Sequence, residues 1–168
     1  WTWKDRAEHA HTGAPPLIQT HLAESEAECA LVAEQFPDDA HYTGVYDRFA
    51  LLTDRTLLAH ALHLSTEEWE LIAQRRSVVV HCPGANTFLR AGAFDLAAAR
   101  EHDVRVALGS DVAAGPDVAM PRVARQMIEV AKLRAILTGR PAPVPTPAEV
   151  WTLITSGNAD LLGWTDQA

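Results

Sequence analysis

Three apolar runs in this chain each end in a residue that can bind a metal ion or move a proton. They are Leu17-Ile18-Gln19-Thr20-His21, Thr56-Leu57-Leu58-Ala59-His60 and Val104-Arg105-Val106-Ala107-Leu108-Gly109-Ser110-Asp111. A fourth run, Ser77-Val78-Val79-Val80-His81, is closed by Cys82-Pro83-Gly84. Short apolar runs rich in β-branched residues and bounded by turn residues predict strands. These runs are apolar throughout rather than alternating, which predicts burial on both faces, as in a parallel sheet. Metal ligands and acid/base groups at the C-terminal ends of successive parallel strands are what a (β/α) barrel needs, because its active site lies on that face.

Helices are predicted between the strands. Ser25-Glu26-Ala27-Glu28 and Ser65-Thr66-Glu67-Glu68 are capping boxes. In each, the Ser oxygen accepts from a first-turn N–H while the Glu three residues on accepts from the backbone of the cap. The first helix should run to about Phe36, stopped before Pro37, and the second to about Arg75. Thr146-Pro147-Ala148-Glu149 joins an N-cap Thr to a Pro at the first helical position and opens a final helix. Further helices are expected over 1–11, 41–49, the Ala-rich 93–102 and 118–137. Strand followed by helix recurs four times, which argues for α/β units. The 168 residues, 48% of them hydrophobic, suit one globular domain with a sizeable core. A complete (β/α)₈ barrel needs about 250 residues. The expected fold is therefore a (β/α) barrel of TIM type present only as its second half, about four βα units in a single domain over 1–168.

Composition excludes several partners. The formal net charge is −8, from 14 basic and 22 acidic residues. No basic run interleaves with aromatics, which argues against nucleic acid. No apolar stretch approaches a membrane span, and no signal peptide opens the chain. Cys29 and Cys82 form neither a CxxC pair nor a disulfide framework, so a reducing cytoplasm is expected.

Each candidate residue has a functional and a structural reading. Glu24, three residues after His21, can curl back over the mouth and move protons beside a metal-bound water, or it can simply cap the next helix. His60 ends its strand, whereas His63 lies beyond it in the loop and reads as structural. Asp111 follows Leu108-Gly109-Ser110, where Gly109 permits tight backbone geometry; an Asp there can also serve only as an N-cap. Cys82 beside His81 suggests a thiol or metal pair, but adjacent side chains on a strand diverge. The joint pattern is stronger than any member: four consecutive strands ending in His21, His60, His81-Cys82-Pro83 and Asp111.

With that pattern the chain resembles the amidohydrolase superfamily, metal-dependent hydrolases on a (β/α)₈ barrel, and within it the guanine deaminases. The likeness is carried by Gln19-Thr20-His21-Leu22-Ala23-Glu24, Val45-Tyr46-Asp47-Arg48, Leu58-Ala59-His60, Val80-His81-Cys82-Pro83 with Asn86, and Ala107-Leu108-Gly109-Ser110-Asp111-Val112-Ala113. It runs from about Leu17 to Gly163.

The resemblance implies roles for these positions. His21 matches the metal-binding His of strand five and Asp111 the metal-binding, proton-accepting Asp of strand eight. Glu24 matches the proton shuttle. His60 matches the strand-six His that lies against the substrate or the attacking water, and His81 and Asn86 stand where further substrate contacts are expected. The implied cofactor is one divalent ion, zinc, with iron as the alternative. The implied reaction is hydrolytic deamination of guanine to xanthine and ammonia. Other purines, pterins and triazines are alternative substrates, and a non-catalytic half-barrel is the alternative outside enzymes. A completed barrel is expected to form a homodimer.

Two family features have no match. The His-x-His pair of strand one is absent, and so are the Arg and Phe that grip the purine from strand four. Glu8-His9-Ala10-His11 contains a His-x-His, but on an expected helix only 10 residues before His21, and it reads as coincidence. Gly84-Ala85 also stands before Asn86 where relatives commonly carry hydroxyl residues.

Overall fold

A computed structural model describes residues 16–139 and 142–164. The helix expected over 1–11, with its His9 and His11, lies outside the described residues. The four expected strands are present as β1 (Ile18–Leu22), β2 (Thr56–His60), β3 (Val78–His81) and β4 (Arg105–Leu108). They form one wholly parallel sheet in the order β1-β2-β3-β4. Each pair is sequential in the chain and joined by a helical crossover, which is the repeating unit of a (β/α) barrel.

The crossovers start where the caps place them. α1 (Glu26–Gln35) and α3 (Thr66–Arg75) open on the Ser25 and Ser65 capping boxes, both complete. α2 (Tyr42–Arg48) precedes β2, α5 (Leu96–Glu101) precedes β4, and α6 (Met120–Thr138) follows it. One helix was not expected. α4 (Pro83–Phe88) begins on the residues that read as a strand terminator. Proline is compatible with the first helical position because the N–H it lacks has no intrahelical acceptor there.

The single C-terminal helix expected from Thr146 is broken. α7 (Pro147–Thr152) passes into a π-helical turn, Leu153–Gly157, and then α8 (Asn158–Leu162). Thr155 leaves helical geometry at φ −126°, ψ −112°. The break brings Asn158 to the outer edge of β4. Its Nδ2 donates to Leu108 O at 2.8 Å and its Oδ1 accepts from Leu108 N at 3.1 Å. One side chain thus satisfies both backbone groups that a further strand would otherwise pair.

Alternation along the strands divides two cores. Leu22, Leu58, Val79 and Leu108 pack against Trp69, Ile72, Val123 and Met127 on the helical side. Leu57, Val78 and Ala107 form a smaller cluster on the other face, beneath Leu161 and Leu162 of α8. β2 is buried along its whole length, as expected. β1 is not: Gln19 and His21 are exposed. They share the face of Leu57 and Ala59 by register, but α8 packs over β2, β3 and β4 and leaves β1 open.

Asn158→Ala should strand the Leu108 N–H and C=O and cost about 1–3 kcal/mol, the penalty for polar groups left unpaired. Removing the exposed Arg125–Glu129 pair by Arg125→Ala should cost less than about 0.5 kcal/mol. Urea unfolding of both variants checks the contrast; equal costs would show that Asn158 does not seal the edge.

Candidate active site

The register fixes the level at which the strands end. Leu22 of β1 pairs with His60 of β2, and His81 of β3 with Leu108 of β4. Past this line the backbone turns sharply. Ala23, His60, Ala61 and Asp111 take φ of 49°, 74°, 52° and 48°, a region that costs a residue with a Cβ of order 1–3 kcal/mol. The ladder survives the turn: Ala61 N–H donates to Leu22 O at 2.8 Å and Leu62 N–H to Ala23 O at 3.0 Å. Such strain, concentrated where four chemically active side chains emerge, marks a functional site.

These turns bring His21, Glu24, His60 and Asp111 together. The His21 and His60 rings are tilted at 53° with centroids 5.1 Å apart. His60 Nε2 lies 3.8 Å from Glu24 Oε2 and 3.9 Å from Asp111 Oδ2, too far for a hydrogen bond. Ligand atoms of His21, His60 and Asp111 all fall within 4.8 Å of one another. His60 Nε2 and Glu24 Oε1 are buried and have no hydrogen-bond partner. Zinc bonds nitrogen and oxygen donors at about 2.0–2.2 Å, so two donors of one ion lie no more than about 4.4 Å apart. The His60–Asp111 separation meets that limit. Unpartnered acceptors converging without a donor fit a divalent cation with its water.

The structural readings of Glu24 and Asp111 do not account for them. Ser25 caps α1, and it is Glu28 Oε2 that accepts from Glu24 N at 2.7 Å and Ser25 N at 3.3 Å. The Glu24 carboxylate is left for the cluster. No helix begins near Asp111; the next starts at Met120. Its main-chain oxygen takes the Ala114 and Gly115 N–H groups at 3.2 and 2.6 Å, closing a tight loop. A Cβ on Gly115 would sit 2.2 Å from Ser110 O, so only glycine closes it. Gly109 is needed for space rather than for φ, since a Cβ there would lie 2.8 Å from Val80 Cγ1.

The remaining candidates surround the cluster. Asn86, on α4, meets His60 Nδ1 with its Oδ1 at 2.8 Å and is 1% exposed. His81 is buried and stacks on Phe94 with centroids 4.6 Å apart, on the helical side of the sheet. Burial, reinforced by His60 nearby, drives it down to about 3. Burial likewise pushes the Cys82 thiol up to about 12, and its Sγ turns to Val80 O, so it is no nucleophile. His63 Nε2 bonds Ala91 O at 3.1 Å, away from the cluster. It lines an open cleft of about 540 Å³ that also takes in Glu24, Leu89, Arg90 and Ala91. Tyr46, read only as part of a family segment, donates from its hydroxyl to His21 O at 3.0 Å and anchors the end of β1. Asn158 and the Asn86–His60 contact carried no signal in the sequence, because neither is local along the chain.

A parallel sheet with helical crossovers and a polar cluster across its C-terminal strand ends defines a partial (β/α) barrel with a candidate metal site on that edge. The family model described as the amidohydrolase family matches residues 16–168, and the chain belongs to that family. It is 35% identical over 150 residues to a probable guanine deaminase of Schizosaccharomyces pombe, an alignment covering 89% of this chain and 28% of that protein. A crystal structure of guanine deaminase from C. acetobutylicum with bound guanine superposes with a TM-score of 0.85 at 28% identity, covering 96% of this chain and 38% of that one. An adenosine deaminase from Xanthomonas campestris with bound zinc gives 0.76 at 28% identity, covering 89% and 33%. The chain spans about a third of the length of the relatives it matches.

His81 should make acid stability steep. Above its ordinary 6.5 the residue is neutral in both folded and unfolded chains and contributes no pH dependence. Between 6.5 and about 3 the unfolded chain takes a proton that the folded chain refuses. Stability should fall there by up to about 1.4 kcal/mol per pH unit from this group. His81→Phe should flatten the slope by that amount in urea unfolding between pH 4 and 7; an unchanged slope would show that His81 is protonated in the fold.

Proposed function

We propose that this chain supplies strands five to eight of a guanine deaminase, with residues 1–168 as the second part of one metal-dependent hydrolase barrel. The observation that carries the reading is the cluster of His21, His60 and Asp111 with Glu24 beside it, all on the C-terminal edge of the sheet. Similarity to guanine deaminases, one of them with guanine bound, supports the ring. The zinc in a deaminase of similar fold supports the metal.

In this reading His21 and Asp111 hold one divalent ion, zinc in preference to iron. A bound ion of this kind lowers the pKa of its water to about 7. The residues of the chain then move protons. Water oxygen bonds to C2 of guanine and the C2–N bond breaks, giving xanthine and ammonia. Asp111 and Glu24 accept the two protons that the water gives up; one is passed on to N3 of the ring and the other to the departing amine, which restores both carboxylates. His60 presents Nε2 to the attacking water and orients it. An open cleft of about 540 Å³ reaches Glu24 and is otherwise lined by residues outside the cluster. Cys29 and Cys82 are both free, in keeping with a cytoplasmic protein. Among the described residues no helix is long and apolar enough to cross a membrane. The complete barrel is read as a homodimer, which sedimentation of the whole protein tests.

Assayed as the complete barrel, Glu24→Gln should retain its zinc and lose turnover by about 10²–10⁴-fold, the usual contribution of a general acid–base group. Asp111→Asn should lose at least as much together with zinc. His63→Ala should lose little. The measurement is ammonia release from guanine against adenine, cytosine and an aminotriazine, with metal content by elemental analysis. Equal turnover of another ring would reassign the substrate within the family. Full activity of the Glu24 variant would remove it from the mechanism. No ammonia from any ring by a zinc-loaded barrel would favour a non-catalytic scaffold.

A further inference from the structure

The pairing of Asn86 with His60 has a consequence for which ring nitrogen faces the cluster. His60 is fully buried, Asn86 is 1% exposed, and the two meet at 2.8 Å between His60 Nδ1 and Asn86 Oδ1. With Oδ1 against the ring and Nδ2 turned away, buried and without a partner among the described residues, the amide oxygen can only accept, which puts the proton on Nδ1. A neutral imidazole carries one N–H, and Nε2 is then a bare lone pair. That atom is aimed at Glu24 and Asp111, 3.8 and 3.9 Å away, and bonds to neither. An Nε2–H facing two carboxylates would be drawn into a hydrogen bond with one of them. Side by side, three acceptors instead need a cation or a water's protons between them.

Asn86 can impose this choice because its backbone is buried and hydrogen-bonded on both sides. It sits on α4, whose first residue Pro83 is buried, as are Gly84 and Ala85. Its own N–H donates to Cys82 O at 3.0 Å, and its carbonyl accepts from Ala91 N at 2.9 Å. The geometry points to Asn86 as a positioning residue: it holds His60 as the Nδ1–H tautomer, so that Nε2 enters the metal and water site as an acceptor. This rests on the reading of His60 as a member of that site, and Asn86 itself touches no reacting atom. Groups of this kind, which orient a metal-site histidine through its other nitrogen, are typically worth 10–100-fold in metal affinity or activity.

The test reads the tautomer directly. Long-range ¹H–¹⁵N correlation spectra of the 168-residue chain are recorded above pH 8, with the His60 signals assigned through a His60→Gln variant. Wild type should show Nδ1 as the protonated, pyrrole-type nitrogen and Nε2 as the bare, pyridine-type one. Asn86→Asp keeps an acceptor and should keep that pattern. Asn86→Leu, checked for folding by the dispersion of its amide spectrum, should give averaged signals from mixed tautomers. In the complete barrel it should bind zinc about 10–100-fold more weakly, whereas Asn86→Asp should stay within a few-fold of wild type. A wild-type Nε2–H pattern, or an Asn86→Leu variant with the wild-type pattern, would overturn the inference. If Asn86→Leu fails to fold, the wild-type and Asn86→Asp spectra still decide. None of these spectra depends on guanine being the substrate, so failure of the deaminase reading would appear separately, as absent ammonia release with the tautomer as stated.

Discussion

The register of the parallel sheet is the constraint on which the site depends. A parallel pair aligns its strands so that all of them end on one edge, and Leu22 against His60 and His81 against Leu108 set that edge here. A slip of one residue would send His21 or His60 to the opposite face. The register in turn rests on the apolar contacts of Leu22, Leu58, Val79 and Leu108 with the helical layer. Those contacts, with the hydrogen bonds that continue past the strand ends, offset the left-handed backbone at Ala23, His60, Ala61 and Asp111. The cluster is thus a product of packing some distance from it.

Glu68, which is buried, and Glu24, which is half-buried, show how the fold separates structural from chemical charge. Glu68 is 5% exposed, and its oxygens accept from Thr43 N, Thr43 Oγ1 and Ser65 N at 2.9–3.0 Å. Every demand of that group is met locally, and it ties α2 to α3. Glu24 has an oxygen, Oε1, that is buried and has no hydrogen-bond partner among the described residues. Burying a polar group unpaired is costly, and folds avoid it unless a ligand completes the set. The histidines differ in what they touch rather than in satisfaction, since His81 Nδ1 is also buried without a partner among the described residues. His81 is kept neutral by burial and spent on stacking with Phe94, whereas His60 is pinned on one nitrogen and open on the other.

The two margins of the sheet are treated differently. At β4 the backbone of Leu108 is satisfied by the Asn158 side chain, which the π-helical break delivers. At the other margin α8 does not reach over β1, and Gln19 and His21 are exposed on that face.

Much of this architecture was legible in local chemistry. The capping boxes at Ser25, Ser65 and Thr146 start helices because their hydrogen bonds lie within one turn. The apolar runs predicted all four strands, their parallel order and the residues at their ends, because strand burial and strand-end position are read one element at a time. The family likeness was legible for the same reason, being a string of short motifs. Local pattern failed where the deciding contact was distant. Nothing near Pro83 announced α4, nothing near Thr155 announced the break, and the exposure of β1 follows from where α8 packs. The sequence by itself determined which chemical groups stand at the strand ends. Only the tertiary structure decided which of them meet, because Asn86 reaches His60 across 26 residues and Asn158 reaches Leu108 across 50. Contacts of that range are set by packing of the sheet and its helices, not by any local pattern.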